Sequence, residues 1–448
     1  MRPIDENTGY ALTGSRSGDE LVCWVWRDGQ LALEAPLPIA SWSLSWDGDG
    51  RQKVQGSLNL TVKDPDGKLG PWLFEDPLGV GGSRVKVHYR VGGAGEIKIG
   101  DYRVDGNTTE ESWQFRIIRE DGYVVADSEL PRHRREVAVP MGSSVSVTAK
   151  DLTLEVDSDG FIAPEQPVGS EPTVMSEVER LIADTVPVIW NGVTDTRVPR
   201  DVVWEDNRLE AVMDLLDMVG ASHRMTGDGA FECYVKDTTP VFTVAGGDDG
   251  ILINCVRQQS LNDVYNVGVV TSTMKTTQLV DGELREVEVP LVGSHHISSG
   301  PLAVGGPFGR RVIRQNNPLM DSQTKVDAAA RTLVLNRLTS QTVDLDLTCL
   351  PNPAVQVGDF GTIEVPVEDG REIPLVGEVV SMSLSGQDGA VGAMSLVVRC
   401  LQSDAAMALK GFSIAEHIGD TLPPITYDTV NPMRTLRQMS QQADDVRD

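Results

Sequence analysis

The chain is short of positive charge, has few cysteines and lacks any long apolar run, and each shortage removes a class of function. Lys and Arg total 39 against 66 Asp and Glu, a net charge of −27. Such a surface repels nucleic-acid backbones and anionic membranes, which argues against direct DNA or RNA binding. Charge alone leaves two readings open: plain solubility, or an acidic surface that must not adhere to a passing polyanion. The five cysteines (Cys23, Cys233, Cys255, Cys349, Cys400) are odd in number, widely spaced and without a CxxC pair. Buried thiols therefore outrank a disulfide framework or a zinc site. No stretch approaches the roughly 20 apolar residues of a membrane span. Met1 to Gly14 shows no basic start followed by an apolar core, so no secretory signal is expected and synthesis in a cytoplasm is.

Catalytic patterns are missing as well. There is no Gly-x-Ser-x-Gly elbow, His-Glu-x-x-His, familiar Cys/His signature or Walker loop. The six histidines are scattered. Adjacent His295 and His296 project in different directions, with no third ligand at metal spacing. Asp157-Ser158-Asp159-Gly160 starts like a calcium loop, but Val168 stands where the bidentate glutamate belongs. Carboxylates are abundant, and a glycosidase pair is defined by geometry rather than spacing. No catalytic, cofactor-binding or metal residue is assigned, and no enzyme is expected.

What is present is turn-rich and strand-rich. The length of 448 residues suits about three domains, and 44 Gly with 25 Pro supply turns. The expected class is mainly β with α+β insertions. Residues 1–156 form an N-terminal β domain headed by a polar arm. Its strands are Leu21–Trp26 (with a hairpin turn at Asp28-Gly29), Ser41–Trp46, Gly56–Val62, Arg84–Val91, Glu96–Val104, Ser112–Arg119 and Ser143–Val156. Trp24 and Trp26 share one strand face and read as sheet packing. Arg132-His133-Arg134-Arg135 is a basic cluster without aromatic interleaving, better suited to ion pairs between domains or subunits than to nucleic acid.

Residues 157–240 read as an α/β domain. A helix is predicted over Thr173–Thr185. A second is capped by Asp206, striped by Leu209, Val212, Met213, Leu216 and Val219, and stopped by Gly220. A hairpin follows, turned at Thr226-Gly227-Asp228-Gly229. Residues 241–403 form a second β domain. Its strands flank Ser260–Asp263, a hairpin turns at Asp281-Gly282, and Gly293–Gly309 is a Gly-rich loop. The best-patterned stretch runs from Asp321 to Val365. A helix to Leu338 is capped by Asp321, with Val326, Ala330, Leu333 and Val334 on one face. Then Val343, Leu345, Leu347 and Cys349 alternate with Asp344 and Asp346, the period of a half-buried strand. Pro351-Asn352-Pro353 ends that strand, and Val357-Gly358-Asp359 turns into Phe360–Val365. Strands Leu375–Leu384 and Met394–Leu401 complete the domain. Residues 404–448 are an extension with a short helix after Asn431-Pro432, expected to dock on a partner or on copies of itself.

In its order of pieces the chain resembles the tail-tip (baseplate) hub, or minor tail, proteins of long-tailed bacteriophages. The carrying residues are Trp204-Glu205-Asp206 through Asp214-Leu215-Leu216 to Gly227-Asp228-Gly229-Ala230-Phe231, then Leu261-Asn262-Asp263-Val264-Tyr265-Asn266-Val267. Ala328-Ala329-Ala330-Arg331, Pro351-Asn352-Pro353 and Val357-Gly358-Asp359 close the series, so that the likeness covers roughly residues 200–400. Arginine far outnumbers lysine, a usage associated with phages of high-GC hosts such as actinobacterial siphoviruses. The resemblance implies two tail-tube-like β barrels per chain and a homotrimer that offers six barrels to a hexameric tail tube. It also implies a place in the virion at the tail tip, after assembly in the host cytoplasm. Expected partners are the tail tube or distal tail protein, the tape measure protein and tip or fibre proteins, with DNA passing without sequence-specific binding and no membrane span. Two other classes stand beside it: a tail-associated cell-wall hydrolase, and a tip protein that binds a host receptor or carbohydrate through Trp in the 21–75 region.

Overall fold

The computed structural model describes residues 1–12, 18–48, 53–119, 134–198, 202–205, 207–247, 250–258, 264–280, 283–316, 322–339, 341–366, 372–402 and 404–405. A helix α1 (Glu6–Leu12) precedes strands β1 (Glu20–Arg27), β2 (Gln30–Leu31), β3 (Ile39–Asp47), β4 (Gly56–Asp64), β5 (Arg84–Arg90), β6 (Glu96–Arg119) and β7 (Arg134–Asp151). Next come α2 (Thr153–Ser158), α3 (Val174–Ile182), β8 (Val188–Asn191), α4 (Arg208–Met218), β9 (Ser222–Met225) and β10 (Phe231–Tyr234). The remainder holds β11 (Phe242–Val244), β12 (Leu252–Gln258), β13 (Val267–Val280), β14 (Glu283–His296), β15 (Val312–Asn316) and α5 (Gln323–Thr339). It ends with β16 (Thr342–Cys349), β17 (Phe360–Pro366), β18 (Glu372–Gln387), β19 (Ala390–Val391) and β20 (Met394–Leu401). The protein is mainly β with α+β insertions.

One sheet of 14 strands joins the two ends of the chain. The antiparallel series β1–β5–β6–β7–β4–β3 has two free edges. Both are met by one late hairpin: Ser381–Gln387 of β18 pairs with β3, and β19 meets β1 at Glu20↔Ala390. The strands thereby close into a barrel, which removes the exposed edges. The hairpin that does this turns at Asp388 and Gly389, both with φ positive (51° and 81°), as two-residue hairpin turns require. The earlier half of β18 pairs with β17, and its middle with β20, which leads on to β16 and β12. A single hydrophobic cluster runs through both regions, from Val25, Leu44 and Val147 to Leu345, Val379 and Val398.

The polar N-terminal segment docks on this sheet instead of hanging free. Leu12 is buried in the shared core, and the buried Arg2 guanidinium donates to the carbonyls of Pro353 (2.7 Å) and Val355 (2.9 Å). Two expected strands, Glu96–Val104 and Ser112–Arg119, are one continuous β6, because bulges between Val104 and Gly106 and between Glu111 and Trp113 absorb the breaks in alternation. At the end of β7 the alternation stops at Asp151. Its carboxylate accepts from the Thr153 amide (3.0 Å), and Thr153–Val156 turn into α2 where a strand was expected.

The α/β insertion has its own core around Val178, Leu181, Leu209, Val212, Leu216 and Phe231. Thr173 caps α3 with a capping box. The cap of α4 is Asn207, which accepts from the Glu210 amide (2.8 Å); Asp206 lies outside the described residues. Gly220 (φ 63°) ends α4 as expected, with Ala221 donating to Leu216 and Gly220 to Asp217, a Schellman motif. Leu215 joins the buried face, while Met213 and Val219 are only half-buried.

Helix α5 lies on a separate sheet, β14–β13–β15, not on the large one. Val326, Ala330 and Val334 are buried against it; Leu335 is buried where Leu333 was expected, and Leu333 is half-buried. Asp321 lies outside the described residues. The close approach depends on glycine: a Cβ on Gly293 would sit 2.5 Å from the Val326 carbonyl carbon, and one on Gly268 2.6 Å from the Ala330 oxygen. Gly293→Ala is expected to destabilise this unit by about 1–3 kcal/mol through overpacking. Gly106→Ala, whose Cβ would meet nothing within 4 Å, is the neutral control. Thermal unfolding of the two variants measures the difference.

Candidate assembly surfaces

Several of the residues singled out by sequence that the structure describes fall on joints between parts. Val357-Gly358-Asp359 is a socket for the α/β insertion. Arg224 on β9 is held by Glu232 (2.7 Å), reaches Asp359 (3.1 Å), and lies 4.5 Å from the Tyr234 ring centre. The Tyr234 hydroxyl would be 2.0 Å from a Cβ on Gly358, whose φ of 84° also demands glycine. Lys236 pairs with Glu378 (2.6 Å) on β18. The insertion is thus pinned to the strand that closes the barrel.

Asn266, the last polar residue of the Leu261–Val267 series, is fully buried and clamps the Gly-rich run. Its amide donates to Leu302 (2.9 Å) and Gly309 (2.8 Å) carbonyls, and its oxygen accepts from the Arg311 amide (2.8 Å). His295 and His296, expected in that loop, instead end β14, because the hairpin partner Val267–Gly268 extends the ladder that far. Asp344 and Asp346 are half-buried on the face of β16 opposite the core. Asp344 receives both nitrogens of Arg399 (2.9 and 3.0 Å), and Asp346 accepts from Gln258. Asp159 of the calcium-like run pairs with Arg208 (2.8 Å). Among the described residues no group of three His, Cys, Asp or Glu side chains could hold a metal. The cysteines are free thiols, and burial pushes Cys233, Cys349 and Cys400 up to about 12. Side chains of the Arg132–Arg135 cluster, and the residues after Ala405, lie outside the described residues.

Two apolar surfaces at one end of the barrel have no cover among the described residues. Among the described residues the part of β7 before Ser143 pairs only with β6, so Trp113–Arg119 and Arg134–Pro140 form a two-stranded arm. Its Trp113 and Phe115 are 53% and 69% exposed, as is nearby Met141 (54%). A two-stranded ribbon with exposed aromatics is marginal in water by itself. At the arm's base lies the Trp72-Leu73-Phe74 loop, all three side chains exposed. Hydrogen bonding holds that loop firmly. Asp76 accepts from the Trp72 and Leu73 amides (2.6 and 2.8 Å), and Arg27 donates to Phe74 and Gly81 carbonyls (both 3.1 Å). These donors hold the Asp76 carboxyl below its usual range. Buried Asp64 anchors the loop's start, accepting from the Lys68 and Leu69 amides and the Ser143 hydroxyl. An ordered loop that displays apolar side chains is suited to contact with another protein. The pattern of Ser112–Arg119 places Trp113 and Phe115 on a strand, but nothing in it signals that the strand outruns its neighbours.

No family model and no curated protein matches the chain. Among solved structures it is similar to the tail protein from Neisseria meningitidis MC58, at 11% identity and a TM-score of 0.48, over 90% of this chain and 100% of that one. It is also similar to a prophage tail protein from Shewanella oneidensis (10% identity, TM-score 0.47, 87% and 99% covered). A third is a prophage tail protein from Listeria monocytogenes EGD-e (9% identity, TM-score 0.42, 96% and 100% covered).

The socket also carries a titratable group. His223 on β9 is buried and stacked on Phe231 (ring centres 5.1 Å apart), and burial lowers its pKa. The unfolded chain takes up a proton near pH 6.5 that the folded one refuses, so stability falls as pH drops below about 6.5. Replacing His223 by Phe should flatten this part of the thermal-stability profile between about pH 7 and 5. Parallel profiles for the two proteins would contradict it.

Proposed function

We propose that this chain is a structural hub of a bacteriophage tail tip. It forms a homotrimeric ring that adapts a hexameric tail tube to a threefold tip and lines the DNA exit channel. The observation that carries this reading is the projecting β6–β7 arm with the Trp72–Phe74 loop at its base. Both display apolar side chains that no described residue covers, as an assembling subunit requires. The order of sequence motifs, which resembles such hubs, supports the same reading. The charge of −27 gives a channel wall from which DNA is repelled. Further partners on this reading are the tube or distal tail protein, the tape measure protein and tip or fibre proteins. No catalytic role is assigned.

Native mass measurement with negative-stain imaging tests the proposal. A closed threefold ring is expected for the full chain. Trp113→Ser combined with Phe115→Ser should shift it to monomer while the circular dichroism spectrum is kept. A wild-type chain that stays monomeric, and is absent from purified virions, would overturn the reading.

A further inference from the structure

A groove lies where the Thr226–Ala230 turn, which joins β9 to β10, rests on the outer face of the barrel. Cys23 and Val25 of β1 point into the core, so Trp24 and Trp26 face outward and form its floor with Lys86, His88 and Lys98 from β5 and β6. The roof seats directly on β6: a Cβ on Gly227 would lie 2.2 Å from the Lys98 oxygen, and one on Gly229 (φ 81°) 3.2 Å from the Asp101 Cβ. Between them is about 410 Å³ of space lined also by Leu31, Asp101 and Asp228, within the range of small-molecule sites.

We propose that this groove binds a neutral saccharide. Two tryptophans on one face offer flat apolar surfaces for the C–H faces of sugar rings, while ammonium, imidazole and carboxylate groups around them serve hydroxyls. Two lysines balance two aspartates, so the lining selects neither an anion nor a cation. Asp101 supplies the independent sign of a ligand. It is 6% exposed, its Oδ1 has no hydrogen-bond partner, and Oδ2 is 3.9 Å from both Arg84 and Lys86, beyond hydrogen-bond reach. A buried acceptor left without a donor is costly, and a sugar hydroxyl supplies the donor when the carboxylate turns toward the groove. Lys86 holds its ammonium 4.3 Å from the Trp26 ring centre. The ligand competes with it for that ring.

The inference does not depend on the tail-hub reading, since ring formation and sugar binding are measured separately. The full chain is titrated with maltotriose, chitotriose and mannotriose, following tryptophan fluorescence and saturation-transfer NMR. Saturable binding of at least one is expected, weakened about tenfold in Trp26→Ala and also weakened in the isosteric Asp101→Asn, with unchanged circular dichroism. Trp24→Ala serves as a second variant should Asp101→Asn fail to fold. Absence of saturation with all three sugars overturns the proposal, and so does binding that Trp24→Ala and Trp26→Ala leave unchanged.

Discussion

The structure depends on the double pairing of β18. A sheet of antiparallel strands leaves unpaired amides and carbonyls at each edge, and a barrel is the arrangement that leaves none. Here the N-terminal strands cannot supply the closing partner. It comes from more than three hundred residues later in sequence, through Ser381–Gln387 and the β19 hairpin. The same strand pairs with β17 in its earlier half and with β20 through its middle. One strand therefore carries main-chain hydrogen bonding into both regions, and the core beneath is common to them.

The insertion inherits its position from that strand. Arg224 is largely withdrawn from water, and burial by itself would favour its neutral form; Glu232 and Asp359 hold the charge in place. The Asp359 end of the interaction is fixed by Gly358, whose backbone admits no side chain beneath Tyr234. The hairpin turn that roofs the tryptophan groove belongs to the same unit, β9–β10, so the socket also sets the groove's depth. Assembly surface and groove consequently lie on one barrel but draw on different strands: the arm on the far ends of β6 and β7, the groove on β1, β5 and the near end of β6.

Most elements were legible because their signals are local. The alternation of Val343, Leu345, Leu347 and Cys349 and the glycine after α4 act within a few residues. Errors fell where neighbours overrode local pattern. Bulges let β6 run through two apparent breaks, and a long ladder drew His295 and His296 out of a glycine-rich loop. Trp24 and Trp26 read first as sheet packing, with carbohydrate contact an alternative for the 21–75 region, because nothing in β1 announces that a turn two hundred residues away rests above them.

By itself the sequence determined the mainly β class, most strand and helix positions, the buried thiols and the acidic charge, all properties of composition or of spacing along the chain. Tertiary structure alone decided which strands close the barrel, where Asp359 finds its cation, which aromatics are exposed among the described residues and where Asp101 loses its donor. Those are pairings between residues far apart in sequence, and their geometry is set by hydrogen bonding and packing that exist only once the chain is folded.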